Sequence, residues 1–121
     1  MAKIMCEKLL KDCNSVASLG VGKGILEWHI KQINTSLKVD CADYTVNSIN
    51  QLKKVFSLGD DFFVFDMLKD DWKSLNGYDC VILYRMSTEF DKKTWEIIFK
   101  KMYAAKINKI IFVPTGLDSV C

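Results

Sequence analysis

The stretch Val16–Gly24, VASLGVGKG, decides the fold: a short apolar run is followed at once by Gly20, Gly22 and Gly24 at alternate positions. The run reads as a buried strand, and glycines directly after it let the backbone turn tightly and come close to a ligand. Ile25 to Ile33 follow with helical spacing that sets Leu26, Ile30 and Ile33 on one face. Strand, glycine turn and helix make the opening unit of a nucleotide-binding α/β domain, in which the ligand lies against the turn and the helix amino end.

Working outward, Cys6, Leu9, Leu10 and Cys13 recur at helical intervals and predict an amphipathic helix over Ala2 to Asp12. After the glycine unit, Leu37, Val39 and Cys41 alternate with Lys38, Asp40 and Ala42, a second strand ending at Asp43. Thr45 is placed to cap a helix whose inward positions are Ile49, Leu52 and Phe56 and which Gly59 closes. Phe62 to Phe65 read as a third strand with Asp66 at its carboxyl end, and Trp72 and Leu75 fall on a short helix broken by Asn76-Gly77. Cys80 to Tyr84 is a near-continuous apolar run, the mark of a central strand covered on both faces. Trp95, Ile98, Phe99 and Met102 mark a further helix, and Ile110 to Val113 a fifth strand stopped by Pro114-Thr115-Gly116. Trp28, Trp72 and Trp95 read as core anchors. Every crossover is long enough for a parallel connection, so the expectation is an α/β fold of three layers, a parallel sheet of order 3-2-1-4-5 with helices on both faces.

With 121 residues, half of them hydrophobic, the chain suffices for one core, and residues 1–121 are expected to form a single domain. The 17 basic and 15 acidic residues are scattered, and Arg85 is the one arginine, so no strong nucleic-acid signal is present. Lys53–Lys54, Lys92–Lys93 and Lys100–Lys101 read as solvated helix faces. Cys6, Cys13, Cys41, Cys80 and Cys121 are odd in number and contain no Cys-x-x-Cys pair, which favours reduced thiols over a disulfide or zinc framework. No carboxylate or histidine cluster suggests a metal, and His29 on the first helix is assigned no role. No run approaches the roughly 18 apolar residues of a membrane span, and no signal peptide is visible, so the expected setting is the cytoplasm.

In a sheet of this order the ligand crevice lies where the strand order reverses, at the carboxyl ends of the first and fourth strands. Ser18 to Gly24, Asp43, Asp66 and Tyr84 to Ser87 therefore stand as candidates. A Walker phosphate loop is excluded, because Gly22-Lys23 is followed by Gly24 and Ala17 stands where the first glycine is needed. The dinucleotide fingerprint started at Gly20 requires a small residue at Ile25, which would obstruct the pyrophosphate. What remains is G-x-G-x-G.

On these features the chain resembles the class I S-adenosylmethionine-dependent methyltransferases, which have a Rossmann-like fold, over about Val16 to Gly116. SLGVGKG, Ser18 to Gly24, resembles the family's acidic-x-G-x-G-x-G loop; ADYT, Ala42 to Thr45, the end of its second strand; FDM, Phe65 to Met67, its third; and YDCVIL, Tyr78 to Leu83, its fourth. The resemblance implies S-adenosylmethionine as cofactor, held by Ser18, Gly20, Gly22, Gly24, Asp43, Asp66, Met67 and Tyr84. Asp43 would accept from the ribose hydroxyls, with Asp40 as the alternative if the strand ends earlier and a helix cap as the plain reading of Asp43. Asp66 would accept from the adenine amino group while the Met67 N–H donates to the ring, unless Asp66 is a solvated strand-end charge. Ser18 departs from the family's acidic residue and supplies no charge for the methionine ammonium group. The implied activity is methyl transfer to an acceptor the sequence does not identify, the alternative being a non-catalytic methyltransferase-like scaffold or regulatory partner. The family fold pairs the fifth strand with a later one that the sequence up to Cys121 does not supply. That edge is expected to be covered by a second copy, another subunit or further segments.

Overall fold

The computed structural model describes residues 2–21, 24–55 and 61–115. Its strands are β1 (Ser15–Leu19), β2 (Lys38–Asp43), β3 (Phe62–Val64), β4 (Cys80–Tyr84) and β5 (Ile110–Val113). All pairings are parallel and the order is β3-β2-β1-β4-β5, as the strand–helix alternation predicts. Helix α1 (Ala2–Ile4) leads into a π-wound segment, Met5–Leu9; α2 (Ile25–Ile33), α3 (Val46–Val55) and α4 (Lys92–Ala104) follow, with a 3-10 turn at Trp72–Leu75.

Successive strand residues point to opposite faces, and each face builds its own core. Val16, Val39, Cys41, Cys80 and Ile82 pack with Met5, Leu26, Ile30, Ile49 and Leu52 on one side. Ala17, Leu19, Val81 and Leu83 pack with Trp72, Leu75, Trp95, Ile98 and Met102 on the other. Cys80 to Leu83 are wholly buried because both faces of β4 are covered. Each buried aliphatic side chain there contributes about 1.5–3 kcal/mol.

Several local expectations are corrected. Leu10 N–H donates to the Met5 carbonyl at 2.7 Å, five residues back, so the first helix ends in a π-turn rather than running to Asp12. That winding aligns Met5 with Leu10 in the core and turns Leu9 outward. On α2, Ile33 is 50% exposed, whereas Glu27 and Lys31 are buried. Lys31 is satisfied locally, its ammonium donating to the carbonyls of Leu37 at 2.7 Å and Thr35 at 3.2 Å, which ties α2 to the start of β2. Trp28 is 44% exposed and lies edge-on to His29, so only Trp72 and Trp95 are core anchors. Phe99 stacks on Trp95 but stays partly exposed. The third strand stops at Val64, leaving Phe65 and Asp66 in the loop after it. Phe56, Gly59 and Gly116 lie outside the described residues. No disulfide joins Cys6, Cys13, Cys41 and Cys80, and burial pushes the thiol of Cys80 up to about 12.

Candidate functional site

The parallel register brings the carboxyl ends of β1, β2 and β4 level, with Leu19 opposite both Ala42 and Leu83. Directly beyond Leu19 the chain turns at Gly20, whose φ is +64° and whose N–H donates to the Ala42 carbonyl at 2.8 Å. The turn is thereby fastened to the end of β2 beside Asp43. The left-handed backbone favours glycine here, and a Cβ would also meet the Met86 thioether at 2.6 Å, a flexible side-chain end that would have to move aside. Gly24, also left-handed at φ +74°, precedes α2 and accepts from Trp28 N–H at 3.0 Å. Gly22 lies outside the described residues.

Gly20, Asp43, Asp66 and Met67 surround one cavity of about 430 Å³, together with Leu19, Tyr44, Phe65, Leu68, Arg85, Met86, Glu89 and Phe90. This size lies within the usual range for small-molecule sites, about 300–1,000 Å³. Its walls are apolar apart from three carboxylates set against the single guanidinium of Arg85.

The three candidate aspartates separate. Asp43 is buried at the end of β2 and accepts from Tyr44 N–H at 2.8 Å; the α3 amino end is capped instead by Thr45 Oγ1, which accepts from Ser48 N–H at 3.2 Å. Asp40, buried lower on the strand, is committed to structure: it accepts from the Tyr78 hydroxyl and from Asp61 N–H at 3.1 Å, and pairs with Lys38 at 3.4 Å. Burial first, and the bond to Asp40 second, push the Tyr78 hydroxyl above its ordinary value. Asp66 braces its own loop, one oxygen accepting from Leu68 N–H at 2.9 Å and Lys69 N–H at 3.2 Å. Among the described residues the Met67 N–H beside it meets no acceptor.

Ser18 and Tyr84 are not in this cavity. Ser18 is buried under α2, its hydroxyl donating to the Glu27 carboxylate at 2.6 Å. Tyr84, Gly24 and Glu27 border a second cavity of about 730 Å³ on the other side of the glycine turn, and Arg85 borders both. Arg85 itself has φ +58°, a strained backbone at the strand end. Sequence reasoning passed over Glu27, although its place one turn before Ile30 and Lys31 sets it within the inward arc of α2. Among the described residues no group of three or more metal-ligating side chains is assembled, and no helix is long and apolar enough to cross a membrane.

No family model matches the sequence, and no curated protein matches it. Solved structures do. Coclaurine N-methyltransferase bound to N-methylheliamine and S-adenosylhomocysteine superposes with a TM-score of 0.74 at 18% identity, over 93% of this chain and 33% of that one. Human N-acetylserotonin methyltransferase in complex with S-adenosylmethionine gives 0.70 at 20% identity, over 84% and 29%. The methyltransferase domain of the bacterial CtHen1-C gives 0.72 at 15%, over 92% and 60%. The chain thus spans about a third of the length of the first two and three fifths of the third. At these identities the likeness is one of architecture, and it bears out the sequence resemblance at that level: this chain has the Rossmann-like fold of the class I S-adenosylmethionine-dependent methyltransferases.

Proposed function

We propose that the chain is the cofactor-binding part of an S-adenosylmethionine-dependent methyltransferase, with the nucleoside seated in the cavity between Gly20, Asp43 and Met67. The charge of that cavity carries the reading. Asp43, Asp66 and Glu89 against Arg85 repel the phosphates of ATP or NAD and suit an uncharged nucleoside with a cationic tail. The residues present fit such a group: the left-handed turn at Gly20 puts backbone rather than a side chain on the cavity wall, Asp43 supplies a buried acceptor for a ribose diol, and Met67 offers a backbone donor between apolar side chains that suit a flat base. Ser18 and Gly24 shape the far side of the glycine turn, and Tyr84 walls the adjoining cavity.

When bound, the sulfonium supplies a methyl group activated for in-line displacement, so that alignment and exclusion of water carry much of the catalysis. The chain's part is to hold the nucleoside by Asp43 and the Gly20 turn and to keep water from it with Phe65, Met67 and Met86. Calorimetric titration tests this: S-adenosylmethionine and S-adenosylhomocysteine are expected to bind at one site, with NAD and ATP much weaker. Equal or stronger binding of NAD would exclude the assignment.

A further inference from the structure

On β1, the position nearest the glycine turn that faces α2 is occupied by a hydroxyl, Ser18, and the charge that faces it comes from the helix. Glu27 is 2% exposed, deeper than any other carboxylate of the described residues except Asp40. Asp40 has a hydroxyl, a backbone donor and a lysine around it, whereas the one side-chain donor to Glu27 among the described residues is Ser18. No lysine, arginine or histidine of the described residues forms an ion pair with it. Lys3, His29 and Arg85 do stand on the wall of the same cavity. Burial accordingly drives the Glu27 carboxyl above its ordinary value, with the Ser18 hydrogen bond opposing. Such a group costs stability unless something cationic meets it. It lies at the rim of the 730 Å³ cavity beside Val21 and Gly24, across the glycine turn from the nucleoside cavity.

We propose that Glu27, oriented by Ser18, binds the ammonium group of the cofactor's amino-acid tail, so that α2 supplies the charge that β1 lacks. This rests on the nucleoside-site reading given above. A ligand whose ribose is held at Asp43 and whose tail crosses the Gly20 turn reaches the second cavity, and an ammonium there meets a carboxylate already desolvated by the fold. Preorganised burial makes that contact stronger than the same pair in water.

The experiment compares two nucleosides that differ in the tail, S-adenosylhomocysteine, which carries the ammonium, and 5′-methylthioadenosine, which has none. Their affinities are measured for the wild-type chain and for Glu27→Gln, which preserves the shape and the hydrogen bond to Ser18. The variant is expected to weaken S-adenosylhomocysteine by about tenfold to a hundredfold, the range for a hydrogen bond to a charged group, and to leave methylthioadenosine unchanged. A carboxylate that merely supports the helix would move both ligands together, and that result, or no loss for either, overturns the proposal while the nucleoside site stands. Failure of the wild-type chain to bind either nucleoside overturns the site reading as well. Should Glu27→Gln not fold, the wild-type chain labelled with ¹³C at its four glutamate carboxyls gives the answer. The Glu27 resonance is expected to shift with S-adenosylhomocysteine and to hold still with methylthioadenosine, and a silent resonance in both titrations excludes the contact.

Discussion

At the scale of single residues, the sequence left Asp43 and Asp40 as rivals, since both fall on one strand. What separates them is one tertiary and one local relation: Tyr78 and Asp61 claim Asp40, and Thr45 takes the capping role that would have explained Asp43 away. The Thr45 cap is legible in the sequence, whereas the claims on Asp40 come from residues leading into β3, beside β2, and into β4, one strand further across β1. Asp43→Ala is therefore expected to leave the fold intact and to weaken S-adenosylhomocysteine by about 1.5–3 kcal/mol by titration; an unchanged affinity would remove Asp43 from the site. Glu27 carries a second expectation, in pH. Its raised folded value means that, as pH climbs past 4.5, the unfolded chain loses this proton while the folded chain keeps it. The folded state then holds more protons, and stability falls with rising pH until Glu27 itself ionises, at a limiting slope of about 1.4 kcal/mol per unit. Glu27→Gln removes that slope, so urea unfolding at stepped pH should show the variant gaining on the wild type as pH rises from 4.5. Parallel profiles would show that the burial is not felt.

Among the elements, strand and helix order was legible because apolar residues kept periods of two and 3.6, and β4 announced its central place by an unbroken apolar run. The π-wound Met5–Leu9 segment was not legible, since the spacing of Cys6, Leu9, Leu10 and Cys13 fits an ordinary helix and the winding is fixed only by the core that Met5 and Leu10 enter together. Nor was the inward turn of Glu27 and Lys31, whose partners are a hydroxyl on β1 and carbonyls in the next loop. The end of α4 offers a measurable case of local strain. Lys106 has φ +59°, its N–H donates to the Tyr103 carbonyl at 3.1 Å, and the following Ile107 N–H to Met102 at 3.2 Å, a Schellman closure normally given to glycine. Relief of the left-handed strain by Lys106→Gly should raise stability by about 1 kcal/mol in chemical denaturation. A loss instead would mean that the lysine stem packs usefully against the helix.

At the scale of the whole molecule, two cores on either side of one sheet leave its carboxyl rim open as a cavity and its two lateral edges for management. β3, with three residues, is short enough to be a poor template. β5 is longer and pairs only with β4 among the described residues. Ile110 on it is 37% exposed, and Phe112, two positions on and so on the same face, touches the partly exposed Phe99 of α4 at a centroid distance of 5.7 Å. An apolar rim beside an open backbone edge invites pairing with another strand. We expect a second copy of the chain to occupy it, and light scattering over a range of concentrations to show association. Ile110→Lys places a charge on the rim without entering the cores that Ile111 and Val113 serve, so it should shift the population toward monomer while leaving the melting of the monomer nearly unchanged. Amides of Ile110 to Val113 should exchange slowly in the associated wild type and quickly in the variant. A wild-type chain that stays monomeric at every concentration, with those amides exchanging freely, would show that four residues of open edge are tolerated by this sheet.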